Sequence, residues 1–119
     1  FNSINILEGK NMIKSYADYV PTIKAVSDET RLRIIDILSC GELCACNILD
    51  GLSISQSTLS YHMKILTDSG LIHAKRDGIW MRYTLNKAKV EEILTFFTHI
   101  STKKADCICH KCKDNSMNK

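Results

Sequence analysis

Apolar residues recur along this chain at two periods, and the switch between them separates helices from a hairpin. A first helix is predicted from about Asn11 to Val26, broken or restarted at Pro21, which cannot donate within a helix. Asp28 is placed to cap a second helix, Glu29 to Ser39, whose Leu32, Ile34, Ile35, Ile37 and Leu38 are expected in the core. Gly41 separates it from a short third helix, Leu43 to Asp50, closed by Gly51. Ser53 or Ser55 caps a fourth, Gln56 to Ser69, ended by Gly70. There Leu59, Met63 and Leu66 fall at i, i+4 and i+7 and form a buried stripe. At about 100° per residue, the opposite face holds Ser57, Tyr61 and Lys64, with Ser60 at its edge. The period then drops to two around Asp77-Gly78, a strong hairpin-turn signal. That turn pairs Ala74 with Met81 and Ile72 with Tyr83 on an apolar side, and Lys75 with Trp80 and His73 with Arg82 on a basic side. A last helix, about Lys87 to Lys104, carries two adjoining stripes: Val90, Leu94, Phe97 and Ile93, Phe96, Ile100. Together these exceed what one core contact uses, which suggests a dimer seam.

Helix, helix, short helix, helix, hairpin, helix is the order of a winged helix-turn-helix. The fold class is mainly α (α+β), with about five helices, a two-stranded wing and a dimeric assembly. The third helix, the turn Gly51–Ile54 and the fourth helix form the helix-turn-helix pair, whose second member enters a major groove. Gln56, Ser57, Ser60 and Tyr61 are the candidates to reach base edges. Lys64, Lys75, Arg76 and Arg82 are the candidates to hold phosphate. A polar helix face alone is more often a solvated face. The basic hairpin downstream favours a nucleic-acid contact.

Charge supports that placement. The net charge is only +3 over 119 residues. Residues 61–90, however, carry Lys64, Lys75, Arg76, Arg82, Lys87 and Lys89 against Asp68 and Asp77 alone. The length fits one core. Residues 1–105 are read as a DNA-binding and dimerisation domain and 106–119 as a Cys-rich tail. No run is apolar enough to span a bilayer and no signal pattern opens the chain, so a cytoplasmic, non-membrane protein is expected.

Six cysteines in a reducing compartment point to soft-ion ligation, because Cys44/Cys46 and Cys107/Cys109/Cys112 are tightly spaced. Residues i and i+2 of a regular helix point about 200° apart. Cys44 and Cys46 therefore need a frayed or distorted first turn to grip one ion. A helix N-terminus also favours thiolate. A trivalent metalloid takes three thiolates, so the tail, or the partner's tail, would complete the set. The tail trio could instead form its own site, with His110 as a further donor to zinc. The plainer alternative is that Cys44 and Cys46 are small buried residues and the tail thiols are incidental. His62 reads as packed or hydrogen-bonded, His73 as exposed or phosphate-facing, and Trp80 as covering the Lys75 stem or stacking near the DNA backbone.

The motifs now assembled resemble the ArsR/SmtB family of metal-responsive repressors, over about Ala25 to Leu85. They are Ser27-Asp28-Glu29-Thr30-Arg31-Leu32-Arg33-Ile34, Gly41-Glu42-Leu43-Cys44-Ala45-Cys46, Ser55-Gln56-Ser57, Leu59-Ser60-Tyr61-His62-Met63, Ser69-Gly70-Leu71-Ile72, Gly78-Ile79-Trp80 and Tyr83-Thr84-Leu85. The resemblance implies a homodimer that binds an imperfect palindrome and lets it go when an inducer binds. It also implies that the first and last helices form the dimer interface. Leu43-Cys44-Ala45-Cys46 resembles the thiol site of the family's arsenic, antimony, cadmium and lead sensors. The third cysteine of the arsenic sensors falls here at Leu49, and residues 1–39 hold none of the cysteines that complete the cadmium and lead sites. Cys40 and the tail trio are what this chain offers instead. The last-helix Asp, His and Glu set of the zinc and nickel sensors is matched poorly by His99, with Asp106 and His110 beyond it.

The resulting expectation is a repressor of a metal or metalloid resistance operon. As(III) or Sb(III), or else Cd(II), Pb(II) or Zn(II), would remodel the start of the third helix, shift its packing on the fourth and free the operator. A thiol-based redox or persulfide sensor of the same fold is the alternative. A thiol oxidoreductase using Cys109-His110-Lys111-Cys112 lacks the βαβ setting that such motifs need. No enzyme activity is expected.

Overall fold

The computed structural model describes residues 15–104. Helix α1 spans Tyr16–Ala25, α2 Glu29–Leu38, α3 Ala45–Asp50, α4 Gln56–Asp68 and α5 Lys87–Ser101. Strands β1 (Leu43–Cys44), β2 (Ile72–Asp77) and β3 (Trp80–Leu85) form one antiparallel sheet in the order β1-β3-β2.

Short polar side chains start the long helices by satisfying amides that have no intrahelical partner. Asp28 accepts from the Arg31 amide at 3.0 Å, Ser55 from Thr58 at 3.1 Å and Asn86 from Lys89 at 3.2 Å. Gly70, just past the end of α4, takes φ +86°, the left-handed conformation that commonly terminates a helix. Pro21 lies inside α1 without breaking it. Its ring is exposed, while Tyr19, Thr22 and Ala25 bury the opposite side. The described part of this helix starts at its Ser15 cap, so the expected segment 11–14 lies outside the described residues.

The main core joins Ala25 of α1, Ile34 and Leu38 of α2, Ile48 of α3, Leu59, Met63 and Leu66 of α4, and Leu71 and Ile72 at the entry to the hairpin. The stripe anticipated on α4 is thus buried. Leu32 is not core: it is 53% exposed. Ile34 and Leu38, four apart, define the inward face of α2, and Leu32 points away from it. A second cluster binds α1 to α5, where the rings of Tyr19 and Phe96 stack at 3.9 Å beside Ile23 and Ile93. On the outer side Tyr16, Val20, Leu94, Phe97 and Ile100 remain exposed.

Two details of the sheet depart from expectation. The hairpin turn is Gly78-Ile79 rather than Asp77-Gly78, since Asp77 pairs with Trp80. A two-residue turn of the Asp-Gly kind needs positive φ at both positions, whereas only Gly78, at φ +64°, adopts one. Moving the turn by one residue moves each partner by two. Ala74 therefore faces Tyr83, Ile72 faces Leu85, Lys75 faces Arg82 and His73 faces Thr84, and each side chain keeps its expected side. The second departure is β1. Leu43 and Cys44, read as the first turn of a helix, are extended and pair with Tyr83 and Arg82, so α3 starts at Ala45.

Candidate thiol site and nucleic-acid interface

That extended start removes the geometric obstacle to a two-thiol site. Cys44 is the N-cap residue of α3, at φ −86° and ψ 166°, and Cys46 sits in the first turn. A thiol leaving a strand and one on the following turn can converge, as two on a regular helix cannot. Their Sγ atoms lie 2.6 Å apart. Cys44 is buried at 8% exposure, whereas Cys46 is exposed. Asn47 closes the turn: its Oδ1 accepts from the Cys44 amide at 3.4 Å and from the Cys44 thiol at 2.9 Å.

The pair divides its acidity. The hydrogen bond from Cys46 pulls the Cys44 thiol below the ordinary range, helped by the Asn47 amide and by the Arg82 charge. The same bond, with burial and the Cys44 charge, pushes Cys46 up. Of the two, Cys44 is the thiol whose ionised form is favoured, with Cys46 donating to it. Among the described residues no set of three or more His, Cys, Asp or Glu side chains is placed to hold a metal ion. Cys40 is exposed just past α2 and does not complete such a set. Cys107, Cys109 and Cys112, with Asp106 and His110, lie outside the described residues.

Five candidate contact residues form an open face on α4. Gln56, Ser57, Ser60, Tyr61 and Lys64 are all exposed, Tyr61 by 62%. Among the described residues Lys64 pairs with the exposed Asp68, at 3.2 Å, a pair too solvated to hold it from another anion. Beneath this face His62 is buried, and its Nδ1 lies 3.0 Å from an Arg31 guanidinium nitrogen. Arg31 also donates from Nε to the Ala25 carbonyl at 2.7 Å. Asp28 Oδ2 stands 3.9 Å from the same imidazole nitrogen. This network fixes α4 on α2. The sequence gives only hints of it: a cap residue, an arginine three residues on, and a histidine beside the buried stripe.

On the wing, Lys75 and Arg76 are exposed, while Arg82 is half-buried and pairs with Asp77 at 3.2 Å. The wing tip is apolar: Ile79 is 85% exposed and Trp80 51%. Trp80 stands opposite Asp77 and does not pair with Lys75, which faces Arg82. His73 is exposed.

The family model described as "Bacterial regulatory protein, arsR family" matches residues 28–74. The arsenical resistance operon repressor of Staphylococcus aureus is 42% identical over 99 residues, 83% of this chain and 95% of that protein. This chain belongs to the ArsR family. ArsR proteins are transcriptional regulators, not enzymes. Among solved structures, an ArsR-like transcriptional regulator from Rhodococcus aligns with TM-score 0.74 at 22% identity, covering 91% of this chain and 98% of that one. The homodimeric winged helix-turn-helix domain of a possible ArsR-family regulator from Mycobacterium bovis aligns with TM-score 0.60 at 24% identity, covering 71% and 79%. The fold of this ArsR-family chain is accordingly a winged helix-turn-helix, with α3 and α4 as its helix pair and β2–β3 as its wing. Among the described residues no helix is long and apolar enough to cross a membrane.

Proposed function

We propose that this chain is a cytoplasmic, homodimeric repressor of a metalloid resistance operon, released from its operator when As(III) or Sb(III) binds cysteine thiolates. The observation that carries this is the close approach of the Cys44 and Cys46 thiols at the start of α3, the helix that precedes α4. It occurs in a chain 42% identical to an arsenical resistance operon repressor. A cadmium resistance regulator is also among the relatives, at 32% identity over 78 residues. Cd(II), Pb(II) and Zn(II) are therefore the other ions to test.

Residues 1–105 would form the DNA-binding and dimerisation domain. Residues 106–119 would supply the third thiolate from Cys107, Cys109 or Cys112, within a protomer or across the dimer. Gln56, Ser57, Ser60 and Tyr61 read bases in an imperfect palindrome, while Lys64, Lys75, Arg76 and Arg82 hold phosphate. Soft-ion ligation needs thiolates and releases protons. Cys44 deprotonates first, and once ligated its sulfur no longer donates to Asn47. The turn that closes the start of α3 is thereby remodelled, and the elements that grip DNA lose their alignment. Coupling of roughly 1–3 kcal/mol is typical of such linkage, enough to lower operator affinity about 5- to 150-fold.

The test is a titration of the dimer on its own promoter with arsenite, antimonite, cadmium, lead and zinc. It is repeated with Cys44→Ser and with Cys107, Cys109 and Cys112 all replaced by serine. Arsenite is expected to release wild type and to leave Cys44→Ser bound; equal release of both refutes the site. The close sulfurs also support a second reading, in which peroxide or polysulfide oxidises the pair to a disulfide. Release by those oxidants but by none of the ions would favour it.

A further inference from the structure

The ladder registers contain a relation that the chain order hides. Cys44 stands opposite Arg82 across β1 and β3, and Arg82 stands opposite Lys75 across β3 and β2. Directly opposed residues share a face of the sheet, with strands about 4.8 Å apart. One row thus runs thiol, guanidinium, ammonium, and places Lys75 about 10 Å from Cys44 with Arg82 between them. The neighbouring row, Leu43–Tyr83–Ala74, turns the other way. There Leu43 and Tyr83 pack on the main core. Arg82 is also tied forward, from its Nε to Asp77 beside the turn.

Resting on the proposed metalloid-released repressor, we infer that Arg82 is a positioning residue through which ligation at Cys44 withdraws the wing, rather than α4, from DNA. The Cys44 and Cys46 thiols are in direct hydrogen-bond contact. Ligation of both thiolates to one ion replaces that bond, so the pair must rearrange. Cys44 is half of a two-residue strand whose sheet partner is β3, so movement there passes into Arg82 and on to Lys75 and the tip. The alternative receiver, α4, is fixed by Leu59, Met63 and Leu66 in the core and by the Arg31–His62 bond. Shifting it would require repacking a close-packed interior. The distal wing has little to repack: Ala74, Lys75, Arg76 and Trp80 are exposed.

Operator affinity of the full-length dimer, measured with and without saturating arsenite, tests this through the ratio of the two dissociation constants. Wild type should lose about fivefold or more on loading, the low end of ordinary coupling. In Lys75→Ala/Arg82→Gln the apo affinity should fall while the loaded affinity stays near that of loaded wild type, so the ratio collapses toward one. Arg82→Lys should retain it. Gln56→Ala/Ser60→Ala on α4 should weaken both states alike and leave the ratio unchanged. A full ratio in the wing variant, or a collapsed ratio in the α4 variant, overturns the inference but leaves the repressor reading intact. Arsenite binding without any release of wild type sinks both.

Trp80, the chain's single tryptophan, provides a readout without DNA. Its emission should change on arsenite addition in wild type and not in Cys44→Ser. Unchanged emission in wild type that binds arsenite would again overturn the wing route.

Discussion

Single residues show how far local chemistry can be read without neighbours. Asp28 was identifiable as a cap because a short acidic side chain preceded an apolar-periodic run, and its carboxylate does accept the Arg31 amide. That bond, then the Arg31 and His62 charges, holds its pKa below the ordinary 3.8. The sign follows from linkage: a carboxylate with a depressed folded pKa stabilises above its unfolded pKa and loses that contribution as pH falls through the folded value. Asp28→Ala should cost about 1 kcal/mol near neutral pH, measured by urea unfolding. The gap to wild type should close as pH drops below about 3.8. His62 shows the opposite limit. Its buried state could be guessed from its place beside Met63, but its Arg31 partner lies 31 positions away and follows from no local rule.

At the scale of elements, periodicity gave the helices and the wing, while partners in space set their ends. The start of α3 moved by two residues because β3 offered Leu43 and Cys44 a ladder, a non-local gain that no helix propensity reports. The wing turn moved by one because Gly78, not Asp77, can take a left-handed φ. A Cβ at Gly78 would meet nothing within 4 Å, so substitution there is a test of backbone conformation alone. Gly78→Val should destabilise the wing by about 1–2 kcal/mol. The expected signs are faster amide exchange in β2 and β3 and weaker operator binding, with α4 amides as protected as in wild type.

For the whole molecule, the exposed apolar face of Leu94, Phe97 and Ile100 on α5, beside Tyr16 and Val20 on α1, is the surface on which dimerisation is proposed. Phe97→Glu should shift sedimentation toward monomer and lower operator affinity together, because two half-sites are then no longer gripped at once. The sequence by itself determined the helix-turn-helix order, the buried stripe of α4, its polar outer face and the basic wing. Each of these follows from the period of side chains along one element. It also marked Cys44 and Cys46 by their spacing. Only the tertiary structure decided that the two thiols converge and that Leu32 faces outward. It alone placed the thiol site in the same sheet row as the cations of the wing. Those relations depend on strand pairing and packing between segments distant along the chain, and such contacts leave no periodic trace in the order of residues.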